Sequence, residues 1–79
     1  MPRPAMRIVQ SSKVFQLGYD DKEQALYVRF VPSKSHPAGR VAVYRGVPPD
    51  VAEQVEGAPS VGTALRDLVE GSYAFGYES

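Results

Sequence analysis

The stretch Tyr44-Arg45-Gly46-Val47-Pro48-Pro49 marks the point where a strand pattern gives way to a helix pattern. An apolar run ends at Tyr44, and Gly46 supplies a residue that turns the backbone easily. Pro48 and Pro49 then provide the fixed φ that suits a first helical turn. The stretch therefore predicts strands before it and helices after it, which is the order of an α+β domain.

The clearest strand pattern upstream of this stretch covers residues 25–31. Leu26, Val28 and Phe30 alternate there with Tyr27 and Arg29. A strand of period two places the first set on the core face and the second set on the opposite face.

A second strand is predicted over residues 14–19, with Phe15, Leu17 and Tyr19 on one face. Residues 6–9 form a shorter apolar run that could pair as a further strand. Residues 1–8 otherwise read as a tail.

Residues 41–44 predict a third strand, in which all four side chains are apolar or aromatic. Val41 and Val43 suit the buried face, which directs Ala42 and Tyr44 to the opposite face. A register slip of one residue would invert both assignments.

Two helices are predicted downstream of the prolines. Asp50 and Glu53 place negative charge at the positive end of the first helix. Ser60 is a good N-cap for the second helix, and Gly71 fits the left-handed position after its end. The second helix carries a regular apolar stripe, made of Val61, Ala64, Leu65, Leu68 and Val69.

Together these patterns predict a small antiparallel sheet of three to four strands with two C-terminal helices packed on one face. Residues 72–79, with Tyr73, Phe75 and Tyr77, form either a last short strand or an ordered tail. We treat residues 1–79 as a single domain with its core at about residues 9–73.

Composition restricts the classes of function. The 79 residues include no cysteine, which is consistent with a reducing cytoplasm and excludes disulfides and thiolate metal sites. No apolar run approaches the roughly 18 residues that a membrane helix needs, and Met1-Pro2-Arg3-Pro4 is not followed by the apolar stretch of a secretory signal. A cytoplasmic protein without membrane attachment is expected.

The net charge is zero, but its distribution along the chain is uneven. Residues 1–46 carry eight basic and three acidic side chains, a net of +5, and residues 47–79 carry one basic and six acidic, a net of −5. Such asymmetry between the two halves of a chain can mark a face that binds polyanions. The alternative is that the charges have no binding role and only keep the exposed surfaces of the strands and helices hydrated.

Catalytic and metal sites are not indicated. The one histidine, His36, lies in a polar, proline-containing loop over residues 32–39, with no Cys, Asp or Glu nearby at metal-ligand spacing. The start of the second helix at Ser60 could hold an anion, but capping explains the serine more simply. We therefore expect a non-enzymatic protein with no cofactor and no metal.

The candidate binding residues are tyrosines and basic side chains. By the alternation above, Tyr27, Arg29 and Tyr44 share the sheet face away from the helices, and Arg45 follows at the strand end. Rings that stack on bases, interleaved with guanidinium groups that contact phosphate, are typical of single-stranded nucleic-acid binding. Arg40 and Lys34 would add charge. The alternative is an ordinary strand surface, where tyrosine is common.

The chain resembles the KTSC domain, a family found as a C-terminal extension of some lysyl-tRNA synthetases and as a small free-standing protein in bacteria and phages. The resemblance covers about residues 9–73. Its elements, in order, are Val9, Ser11-Ser12, Val14, Gly18-Tyr19-Asp20, Leu26, Val28, Phe30, Tyr44, Gly46-Val47-Pro48, Ala58, Ser60, Gly62 and the stretch from Val69 to Tyr73. The chain departs from the family's Tyr-x-Tyr at Ala42, and its loop at residues 32–39 is longer.

The synthetase context of the family implies an RNA-binding role. The first hypothesis is thus a small module that binds RNA or single-stranded nucleic acid through Tyr27, Arg29, Tyr44, Arg45, Arg40 and Lys34. The second is a protein-interaction module, such as a phage or bacterial accessory protein that docks on a host protein. A homodimer is compatible with both, since so small a core gains from self-association.

Overall fold

A computed structural model describes residues 6–9, 13–37 and 39–77. The serine pair Ser11-Ser12 and residues 1–5 of the expected tail lie outside the described residues. The elements in chain order are β1 (Arg7–Ile8), β2 (Val14–Asp20), β3 (Ala25–Phe30), β4 (Val41–Arg45), α1 (Pro49–Glu56), α2 (Val61–Leu68) and β5 (Phe75–Tyr77).

The five strands form one antiparallel sheet in the order β1-β2-β3-β4-β5. The predicted α+β class with two helices is confirmed, whereas the predicted count of three to four strands is too low. The two edge strands account for the difference, because they contain only two and three residues. Strands this short carry little alternation for a sequence pattern to detect.

The hydrophobic core lies between one sheet face and the two helices. Its sheet side includes Leu17, Leu26 and Val28, all fully buried. On the helix side the core residues are Ala52, Val55, Val61, Leu65 and Val69. Burial of apolar area of this kind is the main favourable term in folding, at about 25 cal/mol per Å².

The predicted orientation of β4 is wrong. Leu26 pairs with Tyr44 and Val28 pairs with Ala42, and antiparallel partners lie on the same face of a sheet. Ala42 and Tyr44 therefore belong to the core beneath the helices. The other two β4 positions, Val41 and Val43, face the opposite side with Arg29 and Tyr27 as their partners.

The predicted face of β2 is correct for Leu17 and Tyr19 but not for Phe15. A bulge between Val14 and Gln16 shifts the register, so that Val14 is fully buried and Phe15 is exposed. A bulge adds one residue to a strand, and simple alternation from the residues beyond it then fails.

The predicted glycine turns, the Ser60 cap and the helix start at the prolines are confirmed. Gly46 and Gly71 have φ values of +77° and +85°, which glycine adopts at no steric cost. Ser60 caps α2, where its side chain accepts a hydrogen bond from the Thr63 backbone N–H at 3.4 Å. The residue that begins α1 is Pro49, as the proline pair predicted.

Candidate functional site

The six residues predicted to bind nucleic acid are not brought together on one surface. Tyr27 and Arg29 lie on the sheet face away from the helices, which we call the open face, and both are half-buried. Arg45 is exposed at the end of β4 and Lys34 is exposed in the β3–β4 loop.

Tyr44 lies on the helix side of the sheet, contrary to the prediction. Its side chain is only 2% exposed, and its ring stacks on Phe75 of β5 with the ring centroids 5.2 Å apart. Burial, with smaller contributions from the Glu70 carboxylate and Tyr77, raises the pKa of Tyr44 to about 12. The ring is therefore packed in the interior and cannot stack on a base. Its hydroxyl stays neutral at physiological pH.

On the open face, Tyr27 has no aromatic neighbour on the adjacent strands. Its cross-strand partners are Gly18 and Val43, neither of which is aromatic. The Nε of Arg29 is buried and has no hydrogen-bond partner among the described residues. Tyr27 and Arg29 together present less stacking surface and less freely available charge than the sequence pattern suggested.

A concave site lies on the helix side, where the sheet extends past the end of α2. Its volume is about 410 Å³. We call it the aromatic groove; it is lined by the end of β3, the β3–β4 loop, β4, β5 and the residues after α2, namely Lys13, Phe30, Val31, Ser33, His36, Arg40, Tyr44, Glu70, Gly71, Phe75 and Tyr77. Two of the six predicted residues, Tyr44 and Arg40, belong to it.

Three rings form a continuous row in the groove. Tyr44 stacks on Phe75, and Phe75 meets Tyr77 edge to face with the centroids 5.6 Å apart. The buried ring of Tyr44 supports the row, while Phe75 and Tyr77 are 53% and 48% exposed. The Arg40 guanidinium lies 3.5 Å from the centroid of the Tyr77 ring, a cation–π contact.

Charged groups surround this row. Lys13 Nζ lies 3.2 Å from Glu70 Oε2 and 5.9 Å from the centroid of the Phe30 ring. Lys13 and Arg40 supply two positive charges, and Glu70 supplies one negative charge. The groove therefore combines aromatic surface with a small excess of positive charge, counting His36 as neutral.

The β3–β4 loop is folded by its own hydrogen bonds. Ser33 and His36 exchange backbone hydrogen bonds of 3.0 and 3.2 Å, and the Gly39 N–H donates to the His36 carbonyl at 2.9 Å. The Phe30 N–H then donates to the Arg40 carbonyl at 2.8 Å. The loop is therefore compact, and it places His36 and Arg40 at the edge of the groove.

Several groove residues were not among those predicted from the sequence, including Phe30, Glu70, Phe75 and Tyr77. A signal was present for two of them, since Phe75 and Tyr77 are two apart and a strand at residues 72–79 places them on one face. Glu70 gave no signal, because its position at the groove depends on how α2 ends against the sheet.

Two other kinds of site find no support among the described residues. They contain no group of three or more His, Asp or Glu side chains placed to hold a metal ion. No helix among them has the length and apolar character needed to cross a bilayer.

Comparisons with known proteins agree with this fold. The family model of the KTSC domain matches residues 10–73. A crystal structure of a KTSC domain protein from Yersinia pestis is similar to the chain with a TM-score of 0.82 and 23% sequence identity, over 95% of this chain and 97% of that one. A search of curated proteins gives no match.

Proposed function

We propose that this chain, which belongs to the KTSC domain family, is a small non-enzymatic module that binds RNA or other single-stranded nucleic acid in the aromatic groove. One observation carries the proposal. Phe75 and Tyr77 are two half-exposed rings in contact with each other, and the Arg40 guanidinium lies 3.5 Å from the second ring. The absence of cysteine is consistent with a cytoplasmic setting.

The chemistry of the groove suits an unpaired nucleotide. Each base stacked on an aromatic side chain contributes about 1–3 kcal/mol to binding, whatever its identity. A guanidinium both stacks on bases and contacts phosphate, and Lys13 adds a second cation within the groove. A volume of about 410 Å³ falls in the range of ordinary ligand sites.

The groove is favoured over the open face for a geometric reason. Phe75 stacks on the buried ring of Tyr44, and Tyr77 packs against Phe75, so the two exposed rings are already ordered before a ligand arrives. Tyr27 has only Gly18 and Val43 as cross-strand partners. Rings that are already ordered lose less conformational entropy on binding.

Fluorescence anisotropy with a labelled single-stranded RNA decamer tests this proposal. We expect binding below 50 μM protein that weakens between 50 and 200 mM salt, since cations displace counterions from phosphate. Tyr77→Ala and Arg40→Ala should each weaken binding by about tenfold, given the usual contribution of one stacked base.

Tyr27→Ala and Arg45→Ala are the matched controls, because they remove one ring and one guanidinium outside the groove. They should change the Kd by less than about twofold, and circular dichroism should show that all four variants remain folded. Absence of binding at 50 μM protein would exclude the proposal. If only the two control variants lose RNA binding, the binding site is the surface of Tyr27 and Arg45 that the sequence predicted, and not the groove.

A protein-interaction module is the second candidate, and the position of β5 favours it. β5 is an edge strand of the sheet and carries the exposed rings of Phe75 and Tyr77. An open edge can accept an added strand from another chain, including a second copy of the same chain in a homodimer. An affinity pull-down after ribonuclease treatment distinguishes the candidates: a partner protein retained by the wild type and lost with Tyr77→Ala supports docking, while loss of all bound material on digestion supports RNA.

A further inference from the structure

We infer that the aromatic groove selects guanine, and that the Glu70 carboxylate reads the base. The inference rests on the proposed function, because it assigns the base that this same groove accepts. Glu70 lines the groove together with Phe75 and Tyr77. A carboxylate beside stacking rings is unexpected in a site that only attracts phosphate, since it reduces the positive charge there.

Glu70 is held at the end of α2 by its backbone, and its carboxylate pairs with Lys13. Its backbone N–H donates to the Leu65 carbonyl at 2.9 Å, which holds the residue at the end of α2. Its Oε2 accepts a hydrogen bond from Lys13 Nζ at 3.2 Å. The second oxygen, Oε1, has no hydrogen-bond partner among the described residues, and each carboxylate oxygen can accept two bonds. Glu70 thus keeps acceptor capacity after pairing with Lys13.

An ionised carboxylate is an acceptor only, so it discriminates among base edges. The Watson–Crick edge of guanine presents two neighbouring donors, the N1–H and the N2 amino group. Adenine and cytosine present one amino donor beside a ring nitrogen that accepts, and uracil presents one N–H between two carbonyl oxygens. A carboxylate satisfies both guanine donors at once, whereas with the other bases it meets an acceptor as well.

The simpler reading of Glu70 is that it only pairs with Lys13. Exposed ion pairs contribute about 0–1 kcal/mol to stability, and such a role would leave base preference unaffected. The two roles therefore differ in a measurable property, which is the ranking of RNA strands that differ in a single base.

The test compares four uridine-rich RNA pentamers that carry G, A, C or U at the centre. Binding of each strand is measured by NMR titration for three proteins: the wild type, Glu70→Gln and Asp67→Asn. Asp67→Asn is the matched control, because it also removes one negative charge, but from an exposed position on α2 that does not line the groove. We expect the wild type to bind the G-containing strand about tenfold more tightly than the other three, as for a good two-bond base contact.

Glu70→Gln should reduce that preference to less than about twofold, with unchanged or tighter binding of the U-only strand, because a negative charge near phosphate is removed. Asp67→Asn should retain the preference. Equal binding of all four strands by the wild type, or a preference that survives Glu70→Gln, would overturn the assignment of guanine and leave the proposed function standing. Failure of every strand to bind would refute both.

Discussion

Tyr44 is the residue at which the core and the candidate site meet. Its ring belongs to the hydrophobic core and also forms the base of the ring row through its stack on Phe75. The residue is only 2% exposed and lies near the Glu70 carboxylate, and both features favour the neutral form of the phenol. The free energy of unfolding should therefore depend on pH in the alkaline range.

The stability should fall as pH rises from about 10 to about 12. Unfolded tyrosine loses its proton near pH 10, whereas folded Tyr44 keeps its proton up to a pKa of about 12. Below pH 10 the residue is protonated in both states and its contribution is fully present. Between the two values the unfolded state binds fewer protons, so the free energy of unfolding decreases, by about 2 kcal/mol in total.

Urea unfolding of the wild type and Tyr44→Phe at several pH values from 9 to 12 measures this contribution. The variant should lose a smaller part of its stability over that interval, since phenylalanine has no proton to release. Tyr19 adds to the decline in both proteins, because burial and then Asp21, Asp20 and Asp50 raise the pKa of Tyr19 as well. Identical pH profiles for the two proteins would contradict the raised pKa of Tyr44.

Among the connections, the β3–β4 loop determines where Arg40 lies. Gly39 has a φ of +83°, and its backbone passes close to β3. A Cβ at this position would press against the Phe30 carbonyl oxygen and lie 3.2 Å from Arg29 Cγ. The glycine is therefore required both by its backbone conformation and by the space around it.

Gly39→Ala should destabilise the fold by about 3 kcal/mol, as the sum of a left-handed alanine and a displaced backbone. Gly46→Ala is the matched control, because Gly46 has a φ of +77° but nothing within 4 Å of an added Cβ. That variant should lose only about 1 kcal/mol. Equal losses of stability in chemical denaturation would show that the close approach of Gly39 to β3 has no energetic effect.

The same elements show how much the sequence could predict. Polar and apolar side chains alternate in β3, so its orientation could be predicted, and the caps and glycines of the helices carried similarly local signals. In β4 the residues Val41, Ala42, Val43 and Tyr44 are all buried, which leaves no contrast to identify the helix side. The register with β3 decides the orientation, and register depends on contacts distant in sequence.

Only part of the candidate site could be predicted, because it too depends on contacts between residues distant in sequence. Arg40 and Tyr44 belong to the groove, but the exposed partners of Tyr44 lie on β5, 31 and 33 residues further along the chain. Stacking of Tyr44 on Phe75 follows from the pairing of β4 with β5. A local pattern contains no information on that pairing.

At the scale of the whole molecule, the uneven charge of the sequence follows the two layers of the fold. Residues 1–46, which contain β1 to β4, have a net charge of +5, and residues 47–79, which contain both helices and β5, have a net charge of −5. The aromatic groove takes Lys13 and Arg40 from the first group and Glu70 from the second. The groove is thus located where the two layers meet, and this location supplies both the cations and the one carboxylate that the proposals require.

The central claim is that the aromatic groove, and not the open face, contacts single-stranded RNA. The most direct measurement is an NMR titration of the ¹³C-labelled protein with the RNA decamer, following the aromatic ring signals. We expect the ring signals of Phe75 and Tyr77 to shift in proportion to bound RNA, while the ring signal of Tyr27 stays unchanged. Shifts of Tyr27 without shifts of Phe75 and Tyr77, or no shift of any ring, would contradict it.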